Sequence, residues 1–192
     1  MRWSRWLSVT SAFLVLLAAA SAQDKGGKGT TVELGNLKSR APADWKEVEP
    51  SPIQKQGGRI KAFSLPKVGD DKHDGEVLIF YFGGQGGSVK ENVQRWKGMF
   101  IPPQGKSIDE ATKSEEFKVG KANVTYVDIQ GTYKYKKAPF VPDEQAERRP
   151  NYRMVAIYFD CEGGPYFIRF VAPAKTFEQY KKGFDDWLKA FE

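Results

Sequence analysis

Cys161 and His73 come first, because a thiol beside an imidazole makes an activated nucleophile. Each is the single residue of its type in the 192-residue chain. Cys161 falls in Phe159-Asp-Cys-Glu-Gly-Gly-Pro165, a turn between two apolar runs, and His73 in the polar stretch from Lys67 to Gly75. Nothing in the spacing brings them together, so Cys161 reads as a bystander thiol. One cysteine cannot close an internal disulfide, which leaves an intermolecular one as its other use. Around His73 stand Asp70, Asp71 and Asp74, a set of cation ligands by type. A calcium loop needs an oxygen ligand where Lys72 stands, so the stretch reads as turn chemistry before a strand. No metal and no cofactor is called.

Two other stretches carry binding chemistry. Gly83-Gly-Gln-Gly-Gly87 runs into Ser88-Val-Lys-Glu91, a glycine turn feeding a helix start. Free amides at a helix N-terminus attract anions. The nucleotide patterns G-x-x-x-x-G-K-[ST] and G-x-G-x-x-G are both missing, so a tight structural connection is the simpler reading. The second stretch, Lys134 to Asn151, interleaves Lys134, Lys136 and Lys137 with Tyr133, Tyr135 and Phe140, then adds Arg148 and Arg149. It reads as the longest irregular segment, and long loops inside a domain often carry function. The candidate anion- or partner-binding residues are therefore Gly84, Gly86, Gly87, Ser88, Lys136, Lys137, Arg148 and Arg149. A rival reading is an enzyme whose groups meet only in three dimensions, drawn from Asp128, His73, Tyr133, Arg95 and Glu162.

The elements that position these groups are legible from periodicity. Glu76 to Phe82 is an almost unbroken apolar run, suited to a central strand covered on both faces. Ser88 and Glu91 fit a capping box, and Val89, Val93, Trp96 and Phe100 form one helical face behind it. Arg59 to Leu65 alternates as a strand. Thr31 to Gly35 is a weaker strand, and Arg40 to Trp45 an extended segment. Glu116 to Val119 with Asn123 to Tyr133, and Tyr152 to Phe159 with Tyr166 to Val171, read as hairpins. Thr176-Phe-Glu-Gln179 offers a second capping box, followed by the stripe Phe177, Tyr180, Phe184, Trp187, Leu188 and Phe191. Gly183 inside that helix suits a close approach to a sheet. Short turns imply antiparallel pairing, and two amphipathic helices need sheet faces to cover. The expected fold is α+β: a single antiparallel sheet flanked by two main helices.

The ends and the charge bound the function. Met1 to Ala22 has a basic start at Arg2 and Arg5, an apolar core and the small-residue end Ala20-Ser-Ala22, the parts of a secretory signal. Its removal leaves 170 residues and lowers the formal charge from +6 to +4, since two arginines leave. Residues 23–30 read as a flexible leader and 31–192 as a single domain. The expected location is periplasmic or extracellular. Acids and bases alternate, so no basic stripe for nucleic acid stands out. No stable membrane insertion is expected once the signal is removed, and oligomeric state is not legible.

Phe80-Tyr-Phe-Gly-Gly-Gln-Gly-Gly-Ser-Val-Lys-Glu-Asn-Val-Gln-Arg-Trp96, with Val127-Asp-Ile-Gln-Gly-Thr-Tyr133 and Gly163-Gly-Pro-Tyr-Phe-Ile-Arg-Phe170, resembles a signature of small exported bacterial proteins of uncharacterised function. The strand–helix order is similar to the PsbP-like fold. That fold includes the extrinsic photosystem II subunit and a nuclear-transport factor that binds the Ran GTPase. The resemblance implies an α/β/α sandwich used for binding or assembly, and it carries no catalytic residues across. The reading is an exported, non-catalytic binding or accessory domain whose partner is an unidentified protein or envelope component.

Overall fold

The structure is a computed structural model that describes residues 29–138 and 141–192. The expected signal at 1–22 and most of the expected leader at 23–30 lie outside the described residues. In chain order the elements are Thr31–Leu34 (β1), Leu37–Arg40 (β2), Lys46–Val48 (β3), Pro52–Gln56 (α1), Arg59–Leu65 (β4), Gly75–Tyr81 (β5) and Val89–Lys97 (α2). Then follow Phe100–Ile101 (β6), Thr112–Val119 (β7), Ala122–Tyr135 (β8), Glu147–Cys161 (β9), Gly164–Pro173 (β10) and Ala174–Lys189 (α3).

An eight-stranded sheet runs β3-β4-β5-β10-β9-β8, with β6 and β7 against different stretches of β8. Every pairing in it is antiparallel. β1 and β2 form a separate two-stranded sheet.

This corrects the expected fold class. The described residues are mostly strand, with two sheets and three α-helices among them, and do not form a single sheet flanked by two main helices. Two physical reasons account for the difference. First, β8 and β9 are 14 and 15 residues long. They keep pairing through Tyr133↔Arg149 and Tyr135↔Glu147, where side-chain polarity gives no strand signal. The irregular stretch expected from Lys134 to Asn151 thus shrinks to the connection between Tyr135 and Glu147. Second, residues 31–40 make their own hairpin, which covers one end of the core with Val32 and Leu34. The C-terminus extends that hairpin, because Lys38 and Glu192 exchange backbone hydrogen bonds of 2.8 and 3.1 Å.

Each face of the large sheet has its own core. On one face Val77, Ile79, Ile157, Ile168 and Phe170 meet Phe177, Phe184, Trp187 and Leu188 of α3. On the other, Val127, Ile129, Met154, Ala156 and Phe167 meet Trp96 of α2 and Phe100 of β6. The capping box at the start of α2 forms as spelled: the Glu91 amide donates to Ser88 Oγ at 3.3 Å and the Ser88 amide to Glu91 Oε2 at 2.7 Å. The box expected at Thr176 does not form. α3 starts earlier, at Ala174 behind Pro173. The amide and hydroxyl of buried Thr176 both donate to Asp71 Oδ2 at 2.7 Å, so a distant carboxylate holds that first turn.

Gly183 makes no close approach. A Cβ there would meet nothing within 4 Å, and its backbone is not left-handed. Gly183→Ala is therefore expected to stabilise the chain by about 0.5–1 kcal/mol, by relieving the helix of glycine's backbone entropy. A urea titration checks it, through a higher midpoint at unchanged slope.

Candidate functional site

A cleft of about 560 Å³ opens on the α2 face of the large sheet. Its floor is Leu78 and Phe80 of β5 with Phe167 and Arg169 of β10. One wall is α2, through Asn92, Arg95 and Trp96, and the other is Tyr133 to Ala138 together with Asp143. Gln54 and Gly57, at α1 and just after it, close one end.

Two irregularities aim arginines at this face. In β4 the pairing runs Ala62↔Leu78 and Lys61↔Ile79, then slips so that Arg59 faces Phe80. Strict alternation would have placed Arg59 with Lys61 and Phe63, over the α3 core. The extra residue, Ile60, takes the slip and stands exposed. Bulges re-aim side chains in this way. The guanidinium of Arg59 ends 5.5 Å from the centre of the Phe80 ring. In β9 a second slip falls between Gly131 and Tyr133 of the facing strand. Asn151, beside it, has φ of 58°, the left-handed region that asparagine tolerates better than most residues. The slip puts Arg149 on the same side as Tyr152, although three positions separate them. Arg149 lies 3.6 Å from the centre of the Tyr135 ring, and Tyr133 stacks on Tyr152 at 5.8 Å.

The cleft is basic and partly uncompensated. Six cationic side chains line it, Arg59, Arg95, Arg169, Lys134, Lys136 and Lys137, against Glu76 and Asp143. Asp143 is already engaged by Lys134 at 2.5 Å and Lys136 at 2.6 Å, and those two ammonium groups hold its carboxyl down to about 2. Arg153, on the other face, is matched: it forks onto Asp128 at 2.7 and 2.5 Å and reaches Glu178. The cleft arginines have no carboxylate partner among the described residues. Arg95 donates to Asn92 Oδ1 at 3.1 Å, and Arg169 contacts Met99 Sδ at 3.2 Å while lying 4.6 Å from the Phe80 ring centre. The Nε of Arg59 is buried with no acceptor. Burial, and then the charge of Arg169, push the Arg59 guanidinium below its usual range.

A second cavity of about 300 Å³ adjoins the first, sharing Glu76, Tyr133 and Tyr135. Ser64, His73 and Asp74 also line it, which by type is a hydrolase set. The bonds are those of a turn. Ser64 Oγ donates directly to Asp74 Oδ2 at 3.0 Å, the Lys67 amide donates to Asp74 Oδ1, and His73 Nε2 lies 3.7 Å from Glu147. Serine activation needs the imidazole between hydroxyl and carboxylate. The hydroxyl of buried Tyr152 and the Nε of Arg149 face this region without a hydrogen-bond partner.

The expected residues divide between sites. Lys136 and Lys137 line the cleft, and Arg149 lines the adjoining cavity. Arg148 donates to the Asp143 carbonyl instead, at 3.2 Å. Gly84, Gly86, Gly87 and Ser88 line neither cavity, but Asn92 links them to the cleft. Its side-chain amide donates to the Gly86 and Ser88 carbonyls, each at 2.9 Å. The turn is packed from within. A Cβ on Gly86 would lie 2.6 Å from the Phe167 ring, and one on Gly164 would lie 2.5 Å from Gly84 Cα. At the start of α2 the anionic group present is the Glu91 carboxylate.

The rival enzyme set does not converge. Asp128 sits under Arg153 on the α3 side and Glu162 accepts from Asn36, while Arg95 lines the cleft, His73 the smaller cavity, and Tyr133 both. Cys161 Sγ donates to the Leu34 carbonyl at 3.6 Å, and burial, with Asp160 and Glu162 nearby, pushes its thiol up. Among Asp70, Asp71 and Asp74, each carboxylate serves a different partner: Lys175, Thr176 and Ser64. Sequence reasoning missed Arg59, Arg169, Glu76 and Phe80. The available signal was Arg169 itself, a lone charge inside the apolar run Tyr166–Val171.

No family model matches the chain, and no curated protein sequence matches it. Among described residues no helix is long and apolar enough to cross a membrane. The fold is similar, at TM-score 0.46 and 9% identity, to the crystal structure of PA94, a Pseudomonas aeruginosa protein of unknown function, over 85% of this chain and 95% of that one.

Proposed function

We propose that this chain is a non-catalytic binding domain, exported as its first 22 residues imply, whose binding surface is the cleft between α2 and the wall formed by residues 133–138 and Asp143. The carrying observation is that Arg59, Arg95 and Arg169 line one concavity without carboxylate partners among the described residues. Of the three, Arg59 is the desolvated one, and a bound anion relieves the cost of holding a part-buried cation without a carboxylate partner. The volume lies in the range of small-molecule sites, about 300–1,000 Å³. Lys136 and Lys137 extend the positive field to the rim, where they raise the rate of anion capture.

Calorimetric titration of the purified chain with a panel of anions tests this, the panel running from inorganic phosphate through small organic acids to a glutamate-rich peptide. At least one class should bind at low ionic strength, and Arg95→Ala with Arg169→Ala should weaken it by about tenfold or more. Uniform silence across the panel, with the chain folded, would remove the proposal.

The Lys134–Asp143–Lys136 clamp fixes that wall of the cleft, and its pH response has a definite sign. A carboxylate depressed to about 2 contributes fully above its ordinary range. That contribution is lost as pH falls from about 4 toward 2. Protease susceptibility of the connection should rise over that interval in the wild type. Asp143→Asn should already be susceptible at pH 7, with the step near pH 2–4 gone.

A further inference from the structure

Resting on the binding reading above, we infer that the cleft takes a small amphipathic monoanion: an organic carboxylate whose charged end lies by Arg59 and Arg169 and whose acyl or aryl body runs along Phe80, Phe82 and Met99.

The charged end follows from the two guanidinium groups. Both stand over the same phenyl ring, at 5.5 and 4.6 Å from its centre. The ring satisfies their faces, which leaves their N–H edges for an acceptor. Two cations near one ring repel, and one carboxylate accepting from both turns that repulsion into paired, charge-assisted hydrogen bonds.

The single charge follows from Glu76. It lines the same cleft and also the adjoining cavity, so a dianion or polyanion seated on the arginines would face a fixed negative group. The body follows from the rest of the floor and wall. Phe82 is 36% exposed and Phe80 and Met99 are half-buried, so these three present the apolar surface, with buried Leu78, Trp96 and Phe167 packed behind them. An inorganic anion would leave the exposed parts of Phe80, Phe82 and Met99 wet, whereas an acyl or aryl group covers them.

The test is calorimetry on the full chain with four ligands: decanoate below its micellar threshold, 3-phenylpropionate, 1-decanol and inorganic phosphate. The expected order has at least one carboxylate binding tighter than both decanol and phosphate by about tenfold or more. Arg59→Met and Arg169→Met keep stem volume and should each lose that preference while melting near the wild-type temperature. Leu78→Trp, which fills the floor, should block the carboxylates sterically with both arginines in place. Decanol equal to decanoate, or phosphate equal to either acid, would overturn the inference. So would carboxylate binding unchanged in both arginine variants. If the glutamate-rich peptide binds and the small acids do not, the ligand class is wrong while the binding surface stands. If no anion binds, both fall.

Discussion

Phe184→Ala is expected to cost about 3–5 kcal/mol, the range for a buried phenylalanine replaced by alanine. That is a large part of the 5–15 kcal/mol that holds a typical domain together. Phe184 is fully buried on the inner face of α3. Its ring lies 5.2 Å from Phe170 of the sheet, 5.6 Å from Trp187 on its own helix, and 6.2 Å from Trp45 of the β2–β3 connection. Two other segments, the sheet and the β2–β3 connection, close on this one side chain beside its own helix neighbour. Chemical denaturation should show a much lower midpoint. A loss under about 1.5 kcal/mol would mean that α3 does not carry the core of that face.

Gly131→Ala should be nearly as damaging, through the opposite face. Gly131 has φ of 154° and sits in β8 opposite Tyr152. A Cβ there would lie 2.3 Å from the Ile101 carbonyl oxygen, which is backbone and cannot swing aside. Relief requires Ile101–Pro102 to move and the Phe100↔Tyr133 pairing of β6 to open. Backbone strain and overpacking together predict a loss of about 2–4 kcal/mol. The Met99–Tyr133 side of the cleft lies beside this contact, so ligand binding should weaken beyond what stability alone explains. Hydrogen exchange separates the two variants. Gly131→Ala should free amides around β6 and the end of α2 first, whereas Phe184→Ala should loosen the sheet as a whole. Equal, global loss in both would contradict the assignment of separate cores to the two faces.

The residues themselves determined the local elements. The apolar run before Gly83, the Ser88–Glu91 cap and the aromatic stripe of α3 depend on neighbours within a few positions, so periodicity and turn chemistry suffice to read them. That Lys136, Lys137 and Arg149 stand among aromatic side chains was legible for a similar reason, since charge and aromatics cluster there in the chain, and the structure places them along the two cavities. The architecture was not legible at that range. Whether residues 31–40 join the large sheet or pair alone, and how far β8 and β9 continue past Gly131, are settled by partners distant in sequence.

The site shows the same division most sharply. A strand's period of two assigns Arg59 to the α3 face and sends Arg149 and Tyr152 to opposite sides. Single extra residues in β4 and β9 reverse both assignments. A slip of one position costs little locally, and only the facing strand decides where it falls. The tertiary fold therefore chose which arginines look into the cleft, and with them the charge a ligand meets there.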